Sequence, residues 1–277
     1  CNPLELKDPA LPPPFSGYPT GDPSGWDDFR SRYRELCEPL QRDFSAFCEE
    51  RGAPLLPELE FVHESPFLNL YLYPAEADYE RSRPLGEAWH RLDSCVRSVD
   101  GPYELPPGDG SLVYVSLGSL GSADVELMNR LVAALAETPH RYVVSKGPQH
   151  DAIELAPNMT GAEFLPQTSV IPHADLVITH GGNNTTTECL HFGKPMIVLP
   201  LFWDQHDNAQ RMHETGFGVR LSTYEHSPEE LLGAIERLRS TISRPEVTET
   251  EEVPLSPNGG HQPAELPPAR IEPATRS

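Results

Sequence analysis

The feature that most constrains the fold is an alternation of short apolar runs with longer amphipathic runs from Leu112 onward. The short runs have the composition of strands buried on both faces, and the longer runs repeat apolar residues at helical spacing. Predicted strands cover residues 112–117, 141–145, 163–165, 176–179, 195–199 and 218–221. Predicted helices cover residues 124–137, 185–192, 205–214 and 227–239, with a short helix or turn at 170–174. Strands that alternate with helices imply a parallel, helix-covered sheet, so the predicted fold class is α/β.

The first hundred or so residues have a different sequence pattern. They predict a loop over 1–25, a helix over 26–51, a strand over 67–73 and an irregular segment with an interdomain linker over 74–110. Asp27 or Asp28 is expected to cap the helix, and Pro39 is expected to kink or divide it.

Changes in composition divide the chain into three parts. Residues 1–108 are predicted to form a partial N-terminal domain and linker, residues 109–243 a C-terminal domain, and residues 244–277 an acidic, proline-rich disordered tail.

One turn carries most of the chemical information. Residues 180–188, His-Gly-Gly-Asn-Asn-Thr-Thr-Thr-Glu, follow the predicted strand 176–179 and lead into a helix. Free backbone amides at such a turn and the helix dipole both favour a phosphate group. His180 adds a donor, and the Glu188 carboxylate suits the paired hydroxyls of a ribose. The turn therefore predicts a cradle for a nucleoside diphosphate.

This turn is one of several elements that resemble a known family, and all occur in the family's order. The others are Ser116–Ser119, Phe164–Gln167, Gly193–Met196, Pro200–Gln205 and Asp207–Asn208. Together, over roughly residues 112–240, they resemble the nucleotide-sugar-dependent glycosyltransferases, which include UDP-glucuronosyl, plant UDP-glucosyl and bacterial natural-product enzymes. The resemblance implies a GT-B type fold of two Rossmann-like lobes with parallel sheets, the first lobe incomplete here.

The resemblance also implies roles for individual residues. His180, the amides from Gly182 to Thr185 and the side chains of Asn184 and Thr185 are expected to hold the diphosphate, with Ser119 facing them from the neighbouring turn. The nucleotide-binding set is therefore Ser119, Phe164, Gln167, His180, Gly182, Asn183, Asn184, Thr185 and Glu188.

Phe164 is expected to stack on the base and Gln167 to bond the base edge or the ribose, although an isolated phenylalanine is usually a core residue. Trp203, Asp204 and Gln205 are expected to bind the sugar. Asp204 has a second reading, as the N-cap of the helix that follows.

No residue is assigned as the general base, because neither His63 nor His90 has the strand–loop context of the family's catalytic histidine. The expectation is that the chain begins partway through the acceptor domain. The predicted function is inverting transfer of a hexose from a UDP- or TDP-sugar to a hydroxyl of a lipid or small natural product. No metal or other cofactor is expected. An inactive fragment that binds nucleotide sugars, and an epimerase or hydrolase of the same fold, remain alternatives.

Composition limits the partners. A formal net charge of −21 argues against a general nucleic-acid binder and against docking on an anionic membrane. No run approaches the roughly 20 apolar residues of a membrane span. The cysteines have no metal or redox spacing and predict reduced thiols and a cytoplasmic location. No oligomeric state is predicted.

Overall fold

The computed structural model describes residues 3–61, 63–93, 95–97 and 101–241, and it has an α/β fold. The strands are β1 (Asn69–Tyr71), β2 (Trp89–Arg91), β3 (Leu112–Ser116), β4 (Arg141–Ser145), β5 (Met159–Ala162), β6 (Leu176–Thr179), β7 (Met196–Val198) and β8 (Gly218–Arg220). The helices are α1 (Trp26–Glu50), α2 (Gly118–Gly121), α3 (Val125–Leu135), α4 (Gln167–Val170), α5 (Asn183–His191), α6 (Gln205–Thr215) and α7 (Pro228–Thr241). Short 3-10 turns occur at Pro3–Glu5, Ala75–Ala77, His150–Ala152 and Ile171–His173.

A six-stranded parallel sheet with the order β5-β4-β3-β6-β7-β8 organises the second half of the chain. The chain moves outward from β3 to β5, returns to place β6 beside β3, and moves outward again in the opposite direction. This is the doubly wound order, in which ligands bind where the direction reverses. The predicted α/β class and parallel sheet are confirmed.

The sheet is buried on both faces because side chains alternate along each strand. Along β3, Val113 and Val115 pack in one cluster with residues of α3 and α7. Leu112 and Tyr114 pack in a second cluster, on the other face, with Cys189 of α5 and residues of α6. Every residue of β3 is buried, which explains why its sequence is a continuous apolar run.

The predicted strand at 163–165 is wrong. The structure places β5 at Met159–Ala162, paired with β4 from Tyr142 onward. This strand lies at the edge of the sheet and only Met159 is buried, so its sequence has no apolar pattern to detect. Residues 163–165 instead follow the carboxyl end of β5.

Helix α1 is confirmed, but its predicted cap is wrong. Gly25 occupies the N-cap with a φ of 83° and no side-chain cap, so neither Asp27 nor Asp28 caps the helix. The helix continues through Pro39 and is not divided there, and a kink at this residue stays a prediction. Pro39 lies on the exposed side, where water can bond the carbonyl that the proline ring leaves without a donor.

The predicted strand at 67–73 shortens to β1, which pairs in parallel with β2. The expectation of irregular structure over 74–110 is wrong at β2, a short, mostly polar strand with no alternation. One face of this small sheet exposes Leu68, Leu70 and Leu72 to solvent.

Helix α6 connects the large sheet to the first region, which is the described part of residues 1–108. The Asp207 carboxylate accepts hydrogen bonds from the backbone N–H groups of Phe15 (2.6 Å) and Gly17 (2.8 Å). One turn further along, the Arg211 side chain donates to the Ala77 carbonyl at 2.8 Å. After another turn, Glu214 accepts from the backbone N–H of Thr20 at 2.8 Å. These residues recur at helical spacing, so one side of α6 makes hydrogen bonds to the first region along its length.

The predicted tail, residues 244–277, lies outside the described residues. Among the described cysteines, Cys37, Cys48, Cys95 and Cys189 are free thiols. Across the described ranges, no helix combines the length and apolarity needed to cross a bilayer.

The buried Asp207 carboxyl predicts that the free energy of unfolding depends on pH. Burial raises the pKa of Asp207 to about 7, although the N–H groups of Gly17 and Phe15 oppose the shift. Between the unfolded pKa, near 4, and this value, the folded chain holds a proton that the unfolded chain releases, so stability falls as pH rises through that window. Each pKa unit is worth about 1.4 kcal/mol. Between pH 5 and pH 8, we therefore expect the free energy of unfolding of wild type to fall by on the order of 2 kcal/mol more than that of Asp207→Asn.

Urea denaturation at the two pH values measures this difference. Asp43→Asn, which changes an exposed carboxylate on α1, is the matched control and should follow wild type. Equal falls in wild type and Asp207→Asn would contradict the prediction.

Candidate functional site

The carboxyl ends of β3, β4, β5 and β6 surround a cleft of about 580 Å³. The sheet register explains why distant segments meet there. Ser116 pairs with both Ser145 and Thr179, so the turns after β3, β4 and β6 emerge side by side. The cleft lies where the strand order reverses, which is the expected position of a ligand site in this kind of sheet.

The imidazole of His180 is held between two glycines. A Cβ atom at Gly118 would lie 2.8 Å from the His180 Nε2 atom, and a Cβ at Gly182 would lie 2.7 Å from it. Both contacts are closer than real Cβ atoms approach, so a side chain at either position would displace the ring from its observed place. The glycines of the turn therefore serve the packing of the histidine as well as the path of the backbone.

Burial lowers the pKa of His180, and this effect outweighs a backbone contact with Ser116 that raises it. The imidazole is therefore neutral at pH 7, with one ring nitrogen able to donate. It can contribute a hydrogen bond to a ligand in the cleft without a full positive charge.

Helix α5 begins directly beside this ring. Its N-cap is Gly182, and no side chain caps the helix. The N–H groups of the first turn therefore lack a side-chain acceptor, and no acidic residue lies in that turn to neutralise the helix dipole. Gly182, Asn183, Asn184 and Thr185 line the cleft. This end of α5 has the electrostatic character of an anion site.

A hydrogen-bonded network supports the turn from behind. The Asn183 side chain donates to the Asp204 carboxylate at 2.5 Å, and Asn208 donates to Asn183 Oδ1 at 3.0 Å and to the Gly181 carbonyl at 2.8 Å. The Tyr73 hydroxyl donates to Asn208 Oδ1 at 3.3 Å. Tyr73, which belongs to the first region, thus supports the anion-binding turn that follows β6.

This network also includes Asp204, for which two compatible roles were predicted. Asp204 occupies the N-cap position of α6, as one of them requires, but its side chain makes no capping hydrogen bond there. Burial raises the pKa of Asp204, and the hydrogen bond from Asn183 opposes the shift. The carboxylate is instead tied to the anion-binding turn.

A second network fixes Glu188. This carboxylate is buried with 4% of its surface exposed, and it accepts a hydrogen bond from Gln167 Nε2, which also bonds Thr185 Oγ1 at 3.1 Å. The Tyr114 hydroxyl donates to Gln167 Oε1 at 3.1 Å. Gln167 therefore lies between Glu188 and the cleft, and Glu188 is not among the side chains that line it.

The structure gathers most of the predicted binding residues in one place. The members of the predicted nucleotide set that line the cleft are Ser119, Phe164, Gln167, His180, Gly182, Asn183, Asn184 and Thr185. Their individual roles stay predictions.

The predicted sugar residues lie in the loop after β7. Trp203 is 68% exposed and has a φ of 52°, an uncommon conformation for a residue with a side chain. Gln205 is buried, and its Oε1 atom accepts from the N–H groups of Leu201 (3.0 Å) and Phe202 (3.2 Å). The carbonyl end of Gln205 thus shapes the loop, and only its amide nitrogen remains for a sugar.

Several residues that line the cleft were not predicted from the sequence. Ser145 ends β4 and Gly147 follows it, and the rule that ligands lie at the carboxyl ends of strands would have pointed to them. Arg97 comes from the segment predicted as a linker, and no local pattern marks it. No three His, Cys, Asp or Glu side chains within the described part of the chain are arranged as metal ligands.

Comparisons with known proteins agree on one family. The model of the family described as "UDP-glucoronosyl and UDP-glucosyl transferase" matches residues 102–245, just over half of the chain. UDP-glucuronosyltransferase 3A1 of Bos taurus is 36% identical over 130 residues, which are 45% of this chain and 25% of that protein. NDP-glycosyltransferase YjiC of Bacillus subtilis is 33% identical over 229 residues, which are 78% of this chain and 55% of that protein. The chain thus spans between a quarter and about half of these relatives.

Solved structures give the same picture. The glycotransferase of kitacinnamycin superposes with a TM-score of 0.63 and 27% identity, over 76% of this chain and 59% of that one. CalG4, the calicheamicin glycosyltransferase, superposes with a TM-score of 0.60 and 21% identity, over 83% of this chain and 58% of that one. These neighbours confirm the predicted GT-B type fold.

The contact between Gly182 and His180 can be tested directly. Gly182 has a φ of −63°, which alanine adopts without strain, so Gly182→Ala changes only the space beside the ring. We expect the added Cβ to push the imidazole toward solvent and raise the pKa of His180 toward its ordinary value, at a stability cost of about 1 kcal/mol. NMR titration of the histidine ring protons measures the shift.

Gly21→Ala is the control, because a Cβ there meets nothing within 4 Å. An unchanged His180 titration in Gly182→Ala would show that the ring is not confined by this contact.

Proposed function

The chain belongs to the UDP-glucuronosyl and UDP-glucosyl transferase family, and on this premise we propose that its cleft binds the nucleoside diphosphate part of an activated hexose. The whole protein would transfer that hexose, with inversion, to a hydroxyl of a lipid or small natural product. The donor would be a UDP- or TDP-sugar. The single observation that carries the proposal is the His180 ring, fixed by two glycines beside the uncapped start of α5 within the cleft.

The diphosphate is the leaving group, so its negative charge grows in the transition state. Backbone N–H groups that are already oriented stabilise such charge without reorganisation, and a neutral histidine adds one more donor. These groups support leaving-group stabilisation by the protein itself, and we propose that no metal ion is required.

The base end of the nucleotide would lie at Phe164. This ring lines the cleft and is 64% exposed, whereas most phenylalanines are buried. An exposed flat ring at the mouth of a polar cleft suits a stacked pyrimidine. Gln167, held by Tyr114, would present its amide to the base or ribose, and Glu188 would reach the ribose hydroxyls only if Gln167 moved aside.

The sugar would lie toward the loop after β7. Asp204 is fixed by Asn183 at the edge of the anion-binding turn, and its carboxylate would accept hydrogen bonds from sugar hydroxyls. Trp203, exposed and held in an uncommon conformation, would form a wall beside the ring.

A second candidate function is binding of the nucleotide sugar without catalysis. The chain spans at most about half of its compared curated relatives, and none of the residues described is assigned as the general base. We further propose a domain boundary near residue 108 and, from the free cysteines, a cytoplasmic location.

His180→Ala tests the binding proposal. Removing one donor to a charged oxygen costs about 1.5–3 kcal/mol, so we expect UDP to bind roughly tenfold to a hundredfold more weakly. Isothermal titration calorimetry with UDP measures the change. His213→Ala, which removes an exposed histidine at the far end of α6, should bind UDP as wild type does. Absence of UDP binding by the wild-type chain, or equal affinity in His180→Ala, would contradict the proposal.

Phe164→Ala separates base recognition from phosphate recognition. Stacking acts on the base alone, so the variant should lose about 1–2 kcal/mol of affinity for both UDP and uridine. Fluorescence or calorimetric titration with the two ligands measures this. A loss confined to UDP would place Phe164 at the phosphates, against the proposed orientation.

A further inference from the structure

A second cavity, of about 410 Å³, lies in the first region beside the small two-stranded sheet. Its volume falls within the roughly 300–1,000 Å³ of sites that bind small molecules. Its described lining shares no residue with the nucleotide cleft, and the proposed function gives it no role. The cavity is therefore a separate candidate site, and its wall indicates what it could bind.

One part of the wall is apolar and aromatic. Trp89 and Arg91 lie two residues apart on β2, so their side chains project from the same face of the small sheet. The Trp89 ring packs edge-on against Tyr71, with the ring centroids 6.3 Å apart. Leu85 lines the cavity beside Trp89, and both pack against the second apolar cluster of the fold. An indole in an apolar wall suits a flat apolar ring.

The other part of the wall carries a net positive charge. Two guanidinium groups, those of Arg81 and Arg91, line the cavity with a single carboxylate, Asp78, among the described residues. Asp78 accepts hydrogen bonds from the Tyr71 hydroxyl at 2.7 Å and from Arg91 at 2.5 Å, and Arg81 donates to the same hydroxyl at 3.2 Å. In a chain with a formal net charge of −21, this cavity is thus a local site for a singly charged anion.

The guanidinium groups retain N–H donors for such an anion. Arg91 donates to the Tyr73 carbonyl at 2.8 Å and to Asp78, and its side chain is 35% exposed. A guanidinium has more N–H donors than these bonds use. The Arg81 Nε atom is buried and meets no hydrogen-bond acceptor within the described part of the chain. Since a buried donor without an acceptor costs free energy, an acceptor brought by a ligand would stabilise this side of the cavity.

We propose that this cavity is a second ligand site, which binds an aromatic monocarboxylate. The planar carboxylate forms paired hydrogen bonds with the guanidinium N–H groups, and the aromatic ring lies against Trp89. A single negative charge balances the cavity, whereas the second charge of a phosphate monoester would exceed it. The inference is independent of the proposed function, because the two sites have no described lining residue in common.

Calorimetric titration of the wild-type chain with benzoate tests this site. Benzyl alcohol keeps the ring without the charge, acetate keeps the charge without the ring, and phenyl phosphate adds a second charge. We expect benzoate to bind at least about tenfold more tightly than each of the three. No saturable binding of benzoate at millimolar concentrations would overturn the inference. Equal binding of benzyl alcohol or acetate, or tighter binding of phenyl phosphate, would also overturn it.

Variants then locate the site. Arg91→Gln removes a charged donor, so we expect benzoate to bind roughly tenfold to a hundredfold more weakly. Trp89→Leu keeps an apolar side chain without the ring and should also weaken benzoate binding, with little effect on acetate. Arg32→Gln is the matched control, because it removes the same charge from an exposed position on α1 and should bind benzoate as wild type does.

Thermal unfolding and UDP titration of each variant separate loss of the site from loss of the fold. If Arg91→Gln does not fold, Trp89→Leu decides the outcome. Wild-type affinity for benzoate in a folded Arg91→Gln or Trp89→Leu variant would place the ligand elsewhere and overturn the inference. Loss of UDP binding by the wild-type chain with benzoate binding intact would contradict the proposed function alone.

Discussion

The site depends on the reversal of strand order between β3 and β6. The chain leaves these neighbouring strands toward opposite sides of the sheet, so the two turns diverge and leave a crevice between them. The register fixes the rest, because pairing Ser116 with Thr179 brings Gly118 and His180 together across more than sixty residues of sequence. Without this pairing, the histidine and the start of α5 would be an ordinary strand end and an ordinary helix.

Within the crevice, small residues and polar networks have separate tasks. Gly118 and Gly182 make space for the imidazole, and Gly182 leaves the first turn of α5 without a side-chain cap. The Asn183–Asp204–Asn208 network fixes the turn's backbone from behind. Rigid positioning of donors in this way is what electrostatic stabilisation of a leaving group requires, since donors that had to reorganise would lose much of their effect.

The first region contributes to the site through α6. Asp207, Arg211 and Glu214 form hydrogen bonds with it, and the Tyr73 hydroxyl donates to Asn208 in the network behind the anion-binding turn. The burial of Asp207 has an energetic cost that depends on pH, so the same helix that organises the site also makes the contact between regions sensitive to protonation.

Sequence patterns predicted the central strands, most helices and the cluster of cleft residues, because buried parallel strands and strand-end turns leave local signals. Residues 180–188 alone indicated an anion site. The sequence could not predict β2 or the position of β5, since short edge strands owe their existence to backbone partners and not to their own composition. It also could not show that Gln167 stands between Glu188 and the cleft, or that Arg97 lines it. Those facts depend on which distant backbones lie side by side, and only the assembled sheet decides that.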